Sequence, residues 1–243
     1  MRLTDFRVLT FDCYGTLIDW ESGLYAALQP LLTKGGIALP RDEVLQRFAE
    51  RESAQEAATP GMIYSDLLAE VHRQLAADWG VAMTEAAHRR FGESVPDWPE
   101  FPDSAPSLQY LKQHYKLVIL SNVDRKSFAA SNRRLAVDFY AIYTAQDVGS
   151  YKPDPANFRY MLDHLAALGF GKETILHTAQ SLFHDHSPAK RMGLASAWID
   201  RRHEQAGWGA TKQPADGAAY DFRFTSLADL VRAHQAELGP QPG

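Results

Sequence analysis

The sequence predicts an α/β fold in which a doubly wound parallel sheet carries an inserted helical module. Short, continuous apolar runs recur along the chain, as in strands that are buried on both faces of a parallel sheet. Amphipathic helical segments separate most of these runs, and this alternation is typical of α/β proteins. The interval at about 20–100 instead contains helical patterns without a convincing strand. We therefore expect an insertion directly after the first strand.

Each element of this fold corresponds to a segment of the sequence. The predicted strands are 7–11 (RVLTF), 116–120 (KLVIL), 141–144, 174–178 (TILHT) and 195–199 (ASAWI). The predicted helices of the sheet region are 104–114, 125–135, 155–168, 185–192 and 225–237, and those of the insertion are 21–34, 41–57, 62–79 and 84–92. The proline-rich segment 95–102 is expected to be the return hinge. We predict a core domain of residues 1–19 and 100–243 and a helical domain of residues 20–99.

Composition excludes several classes of function. The 243 residues carry a formal net charge of -5, which argues against nucleic acid and membranes as partners because both are anionic. The single cysteine, Cys13, cannot form an internal disulfide. No apolar stretch approaches the ~18 residues of a membrane span. Since the N-terminal segment also lacks the features of a signal peptide, the cytoplasm is the expected location.

The first candidate site residue is Asp12, which directly follows the first predicted strand in the segment FDCYGTLID. In α/β proteins, ligands bind at the edge formed by the carboxyl ends of parallel strands. Gly15 permits a sharp turn, and Thr16 offers a hydroxyl group that could orient the carboxylate. From these residues alone, a turn-capping role suits Asp12 as well as a catalytic role does.

Four segments, in order, resemble the motifs of the haloacid dehalogenase superfamily. Residues 12–17 (DCYGTL) are similar to its first motif, and Ser121-Asn122 to its second. Lys152 in YKPDP resembles the loop lysine of the third motif, and Asp185 in AQSLFHD resembles the fourth. The helical insertion falls where this family has its cap. The resemblance implies a Rossmannoid core with a cap, and it implies catalytic roles for Asp12, Thr16, Ser121, Asn122, Lys152 and Asp185.

The residue two positions after the nucleophile, Tyr14, separates reaction classes within the superfamily. Phosphatase members usually have an aspartate there, because a poor alkoxide leaving group needs a general acid. The type II 2-haloacid dehalogenases have a tyrosine in a D-x-Y-G-T-L pattern similar to the one here. No acidic residue precedes Asp185 in 179–184, so magnesium would find few oxygen ligands. The resemblance therefore implies displacement at carbon, with no metal and no other cofactor.

The function implied by this resemblance is hydrolysis of a small 2-substituted carboxylic acid. Asp12 would attack the α-carbon to form an ester, which water would then hydrolyse. Lys152 would stabilise the charge of Asp12, and Asp185 would anchor Lys152 or position the water. The leading candidate is an (S)-2-haloacid dehalogenase, and the alternative is a hydrolase that opens the ring of L-azetidine-2-carboxylate. A phosphatase with a weakened site and a non-catalytic binding member of the fold are further alternatives.

Candidates for substrate binding are Tyr14, Asp19, Trp20, Arg47, Phe158, Gln180 and Ser181. Gln180 and Ser181 lie where the dehalogenases commonly have S-x-N-x-x-D, and Phe158 replaces a tyrosine that is usual six residues after the loop lysine. Arg47 and Arg51 are the candidates for the arginine with which the family's cap binds substrate, although an exposed position is more typical for either. Asp19 also fits a helix N-cap, and Trp20 a packing residue.

Two weaker expectations complete the analysis. His177, His184 and His186 cluster in the sequence, but their spacing is not that of a known zinc site, so structural or surface positions are expected. The habit of the family suggests a homodimer. The expected partner is a small carboxylate substrate rather than a macromolecule.

Overall fold

The computed structural model describes residues 1–205, 207, 209–211 and 219–239, and it confirms the predicted α/β fold. Within these residues, six parallel strands form one sheet in the order β3-β2-β1-β4-β5-β6. The strands are β1 (Val8–Phe11), β2 (Lys116–Ser121), β3 (Ala141–Thr144), β4 (Ile175–Ala179), β5 (Ala195–Ile199) and β6 (Phe222–Phe224). The first strand thus lies near the centre of the sheet, where both of its neighbours are parallel to it.

Helices fill most of the connections between the strands. The helices are α1 (Trp20–Gly35), α2 (Arg41–Ala58), α3 (Tyr64–Asp78), α4 (Glu85–Gly92), α5 (Ser104–Leu111), α6 (Arg125–Leu135), α7 (Ala145–Val148), α8 (Pro155–Ala167), α9 (Ser187–Arg191) and α10 (Leu227–Leu238). A short π-helical turn, Leu182–His186, precedes α9. None of the described helices is both long enough and apolar enough to cross a membrane.

Both faces of the sheet are covered by apolar side chains. Leu9 and Phe11 of β1 belong to one buried cluster, which includes residues of α5, α6 and α10 and of the inserted helices. Val8 of the same strand belongs to a second cluster, together with Phe158 and Met161 of α8. Successive side chains of a strand point to opposite faces. The continuous apolar runs in the sequence therefore reflect a sheet that is covered on both sides.

The inserted segment consists of α1 to α4, as predicted. The side chain of Asp19 caps α1 by accepting a hydrogen bond from the backbone of Ser22, and Gly36 ends this helix in a left-handed conformation with φ 60°. Ile18 and Glu100 form an antiparallel bridge, so the two connections to the insertion lie side by side. The division of the chain into a core domain and a helical domain stays a prediction.

The structure differs from the expected elements in three places. Strand β6 was not predicted, because its three residues, FRF, are too short and too exposed to form an apolar run. The four residues of α7 were also missed. The helix predicted over 185–192 is divided into the π-helical turn and α9. None of these differences moves the carboxyl ends of β1, β2 and β4, where the candidate site residues lie.

Candidate active site

The ammonium group of Lys152 joins the predicted nucleophile to the fourth motif. Its Nζ atom lies 2.9 Å from Asp12 Oδ1 and 2.7 Å from Asp185 Oδ1, and it donates a third hydrogen bond to the carbonyl of Leu120 at 2.9 Å. A lysine ammonium group has three N–H bonds, so these contacts use all of them. The side chain is only 1% exposed. Three of the four predicted motifs therefore converge on one buried cation.

The carboxylate of Asp12 is fixed by two different donors. Thr16 donates its hydroxyl hydrogen to Oδ2 at 2.8 Å, while Lys152 binds Oδ1. The hydroxyl oxygen of Thr16 in turn accepts a hydrogen bond from the backbone of Gln180 at 2.9 Å. Gly15 provides the turn between them with φ 91°, a conformation that favours glycine. The first motif thus positions Asp12 through a hydroxyl group that the loop after β4 holds in place.

Burial and the neighbouring charges set the protonation states of this group. Burial raises the pKa of Asp12, and Lys152 and Thr16 oppose that change. Although burial acts in the opposite direction, Lys152 and His177 hold the pKa of Asp185 below its usual range. The two carboxylates likewise raise the pKa of Lys152 despite its burial. The arrangement favours a charged Lys152 between two carboxylates, both of which line a cavity.

The second motif contributes more to the position of Lys152 than to the cavity. Asn122 accepts a hydrogen bond from the backbone N–H of Lys152 at 2.7 Å, and its amide donates to the carbonyl of the same residue at 2.9 Å. Asn122 also lines the cavity beside Asp12. Ser121 is buried, and its hydroxyl has no hydrogen-bond partner among the described residues. Asn122 therefore holds the loop that carries the lysine.

Asp185 is held from the sheet side by a histidine that the sequence analysis did not assign to the site. His177 of β4 has its Nε2 atom 2.9 Å from Asp185 Oδ1 and its Nδ1 atom 2.8 Å from the hydroxyl oxygen of Thr10. The other carboxylate oxygen, Oδ2, is buried without a partner among the described residues. A signal existed in the sequence: Thr10 and His177 are polar residues inside apolar strands, and they are register partners.

A cavity of about 50 Å³ lies beside Asp12. Of the predicted substrate-binding residues, Tyr14, Trp20, Gln180 and Ser181 line it. His184, which follows them in the fourth motif, lines it as well. The hydroxyl group of Tyr14 lies 2.8 Å from Ser131 Oγ, so its ring borders the cavity while its polar end contacts α6. The cavity thus lies between the ends of the central strands and the inserted helices.

The structure places the other predicted substrate-binding residues elsewhere. Arg47 is exposed and pairs with Glu43 one turn earlier on α2. Phe158 is fully buried, with its ring 5.1 Å from that of His177, on the side of the sheet that α8 covers. Asp19 is the N-cap of α1 and does not line the cavity. Each of these side chains satisfies a local packing or capping need that the motif pattern alone did not reveal.

Arg51, the second candidate for a cap arginine, is also outside the cavity. It forms a two-pronged ion pair with Asp78 of α3, at 2.7 and 2.6 Å. A bidentate arginine–carboxylate pair of this kind holds both groups in one orientation. Neither of the two arginines that the sequence suggested is therefore directed to Asp12.

The inserted helices instead contribute two carboxyl groups, Glu52 and Glu56 of α2, which the sequence analysis missed. They line the cavity with Tyr64 of α3, whose hydroxyl group donates to Glu52 at 2.7 Å. Burial raises the pKa of Glu52 to about 7, and burial together with Glu52 raises the pKa of Glu56 well above its usual value. A signal existed here as well, because Glu52 and Glu56 follow Phe48 at intervals of four residues and so continue the buried face of α2 that begins with Val44.

The donor set does not suit the magnesium ion that phosphatase members of the superfamily hold. Where a cation would contact both Asp12 and Asp185, the ammonium group of Lys152 already binds one oxygen of each. Magnesium requires several oxygen ligands in octahedral geometry. No group of three or more His, Cys, Asp or Glu side chains is arranged to hold a metal in the part of the chain that the structure describes. We assign no step to a metal.

Several solved structures are similar to this chain in fold, and they include dehalogenases and a protein bound to magnesium. The L-2-haloacid dehalogenase PA0810 shares 24% identity with a TM-score of 0.74, covering 93% of this chain and 98% of that one. The L-2-haloacid dehalogenase from Xanthobacter autotrophicus, also solved with chloropropionic acid covalently bound, shares 18% with a TM-score of 0.76, covering 93% and 97%. YfnB from Bacillus subtilis, bound to magnesium, shares 19% with a TM-score of 0.74, covering 96% and 99%.

These similarities show the fold, and the family follows from a different comparison. Among curated proteins, none matches this chain. A family model described as haloacid dehalogenase-like hydrolase matches residues 6–177, which include β1, the inserted helices, Lys152 and most of β4. The matched region covers well over half of the sequence. The chain therefore belongs to the family of haloacid dehalogenase-like hydrolases.

Proposed function

We propose that this hydrolase acts on a small 2-substituted carboxylic acid through an ester formed on Asp12. The observation that carries the proposal is the position of Lys152 Nζ, within 2.9 Å of Asp12 and 2.7 Å of Asp185, beside a cavity. A buried carboxylate with few solvent contacts is a stronger nucleophile than a hydrated one. The proposal thus depends on a carboxylate that is oriented, desolvated and open to a small ligand.

In the first step, an oxygen of Asp12 forms a bond with the α-carbon of the substrate. The bond from that carbon to the leaving group breaks on the opposite side, and its electron pair departs with the leaving group. The configuration at the carbon is therefore inverted. Thr16 and Lys152 hold the carboxylate during this step, so little reorganisation is needed to reach the transition state.

In the second step, water attacks the carbonyl carbon of the ester. The unpartnered oxygen of Asp185 borders the cavity and is suited to accept a proton from this water. The charge of Lys152 would stabilise the negative oxygen that develops on Asp12. The bond between the carbonyl carbon and the substrate oxygen then breaks, and the substrate oxygen takes up a proton. The 2-hydroxy acid leaves, and Asp12 is restored with one oxygen from water.

The first candidate for the leaving group is halide, which would make the protein an (S)-2-haloacid dehalogenase. This candidate is supported by Tyr14 in the first motif and by structural neighbours that are named L-2-haloacid dehalogenases. A halide is a stable anion and needs no general acid. In agreement with that, the hydroxyl group of Tyr14 contacts Ser131 rather than a carboxylate of the site.

The second candidate is opening of the strained ring of L-azetidine-2-carboxylate. The specific observation that favours it is the acidic lining of the cavity by Glu52 and Glu56, because a ring nitrogen carries a positive charge when protonated. The phosphatase alternative is less well supported, since the donor set does not suit magnesium. A role in binding alone does not explain why Asp12, Lys152 and Asp185 form a buried, hydrogen-bonded network.

Labelled water tests the ester directly. Excess enzyme would be mixed with substrate for a single turnover in water labelled with oxygen-18, and the peptide that contains Asp12 would be analysed by mass spectrometry. The label is expected in the carboxylate of Asp12, because water attacks the ester carbonyl. A label that enters only the product would contradict the proposal. A panel of 2-haloacids, haloacetates, azetidine-2-carboxylate and phosphate esters identifies the leaving group.

A further inference from the structure

We infer that Glu52 and Glu56 form a subsite for a protonated amine of the substrate, on the side of the cavity that faces Asn122. The inference rests on the proposed function only in placing the reacting carbon at Asp12. It narrows the substrate class to small carboxylic acids that carry an amino nitrogen at the reacting end. Under this inference the ring amine, the second candidate for the leaving group, takes precedence over halide.

The two glutamates are part of the candidate active site rather than of the protein surface. They are 6% and 8% exposed, and they lie one helical turn apart on α2. Glu56 Oε1 accepts a hydrogen bond at 3.2 Å from the amide of Asn122, the same amide that holds the backbone of Lys152. This contact brings the acidic face of α2 to the loops that carry the second and third motifs.

Each of these carboxyl groups has an oxygen available to a ligand. Glu52 Oε1 binds the hydroxyl group of Tyr64 and Glu56 Oε1 binds Asn122, and no described residue donates a hydrogen bond to the second oxygen of either group. Asp185 Oδ2, in a side chain that is 1% exposed, is an independent unpartnered acceptor in the lining of the same cavity. The lining of the cavity therefore offers acceptors from Glu52, Glu56 and Asp185 that no described donor occupies.

The positive charge that would balance these groups is missing from the described lining. Lys152 is the only lysine or arginine that lines the cavity in the described part of the chain, and its three N–H bonds are already used. Buried carboxylates without a cationic partner are costly. An ammonium group placed between Glu52 and Glu56 would satisfy both, and the aromatic rings of Trp20 and Tyr64 in the same lining suit a cation as well.

The chemistry of the first step is consistent with such a substrate. Asp12 forms the new carbon–oxygen bond, and the carbon–nitrogen bond breaks with its electron pair passing to nitrogen. Because the nitrogen is protonated before the attack, it departs as a neutral amine and needs no further acid. A halide would instead develop its negative charge against Glu52 and Glu56, which repel it unless both are protonated.

Two ligands of similar shape but different charge test whether the cavity recognises the positive charge of the substrate nitrogen. L-azetidine-2-carboxylate and oxetane-2-carboxylate have rings of nearly equal size, and only the first carries a cation. Binding would be measured by calorimetry in the Asp12→Asn variant, so that turnover does not consume the ligand. We expect L-azetidine-2-carboxylate to bind at least about tenfold tighter than oxetane-2-carboxylate, because it gains a hydrogen bond between charged groups. The two ligands should bind with nearly equal affinity when Glu52→Gln and Glu56→Gln are combined with Asp12→Asn.

The matched control is Glu43→Gln, which alters an exposed glutamate on the same helix, paired with Arg47. This change should leave the preference intact, and thermal melting would verify that all variants fold. Equal affinity for the two rings, no binding of the nitrogen ring, or a preference that survives loss of both glutamates would overturn the inference. The labelling of Asp12 by water is measured separately in the unaltered enzyme, so failure of the proposed function is distinguishable from failure of this subsite.

Discussion

The Nε2 atom of His177 lies 2.9 Å from Oδ1 of Asp185, while Oδ2 of the same carboxylate is buried without a partner among the described residues. The same histidine is within 2.8 Å of the hydroxyl oxygen of Thr10, which restricts the orientation of the ring. Lys152 binds the same oxygen of Asp185 at 2.7 Å. Two donors on one oxygen fix the carboxylate of Asp185, a residue that lines the cavity. We therefore predict that His177 positions Asp185 for the proposed second step.

Replacement of His177 should slow hydrolysis of the ester more than its formation. In His177→Leu, Asp185 loses one of its two donors, and we expect kcat to fall about tenfold to a hundredfold, the effect typical of a misplaced catalytic group. The Asp12 ester should then accumulate, which rapid quenching and mass spectrometry would detect. His177→Gln, which keeps a donor, should recover part of the rate. Met161→Leu is the packing control, because Met161 belongs to the apolar cluster of Phe158, whose ring contacts that of His177. An equal loss in both steps would argue for a merely structural role.

Loss of the nucleophile should abolish turnover without unfolding the chain. In Asp12→Asn, the side chain keeps its size but cannot form the ester, and we expect the rate to fall at least about a thousandfold. Asp19→Asn is the control, since Asp19 caps α1 outside the cavity and asparagine is an equally good cap. Steady-state kinetics on the best substrate of the panel would compare the two. Retention of most activity by Asp12→Asn would be fatal to the proposed mechanism.

Removal of the buried cation should destabilise the fold strongly. Lys152→Met leaves Asp12 and Asp185 facing one another without a positive charge, and breaking a buried pair in this way costs roughly 3 to 5 kcal/mol. Lys112→Met, which breaks an exposed pair with Asp138, should cost less than about 1 kcal/mol. Urea unfolding followed by circular dichroism measures both changes. Similar losses in the two variants would mean that the buried network contributes little to stability.

The contribution of two buried histidines to the stability of the fold should fall as the pH drops below neutral. Burial lowers the pKa of His72 and of His186 from 6.5 to about 4. Between these two values the unfolded chain binds protons that the folded chain excludes, so this stability is present above pH 6.5 and is lost as the pH falls towards 4. We expect a loss of roughly 1 to 3 kcal/mol per histidine. Urea midpoints of the unaltered chain and of His72→Gln across this range test the expectation, because their difference separates this histidine from the buried Glu52 and Glu56, whose raised pKa values act in the opposite direction. A difference that does not change with pH would contradict it.

Chelation should leave the activity nearly unchanged. The ammonium group of Lys152 contacts both carboxylates that a metal would use, so we expect EDTA and added magnesium each to alter the rate by less than about twofold. The measurement is product release on the preferred substrate, after extensive dialysis against chelator. A strict requirement for magnesium would show that the lysine moves away from the site, and it would favour the phosphatase alternative.

Much of the fold follows from local signals in the sequence. The five apolar runs became β1 to β5 because a strand covered on both faces must be apolar along its whole length. Asp12, Lys152 and Asp185 were identified at strand ends and in the adjoining loops, and parallel strands bring these ends to one edge of the sheet. The order of the motifs predicted the family to which the family model later assigned the chain.

The lining of the cavity was decided by tertiary packing. On α2, charged residues occur on all sides, and only the angle at which this helix packs on the remaining elements directs Glu52 and Glu56 inwards and leaves Arg47 and Arg51 outside. That angle depends on contacts between side chains far apart in the sequence, such as Glu56 and Asn122, which are 66 positions apart. The sequence alone thus determined the position of Asp12 and the edge of the sheet at which it lies, because those signals are local. The acidic lining of the cavity was decided by long-range contacts between the inserted helices and the sheet.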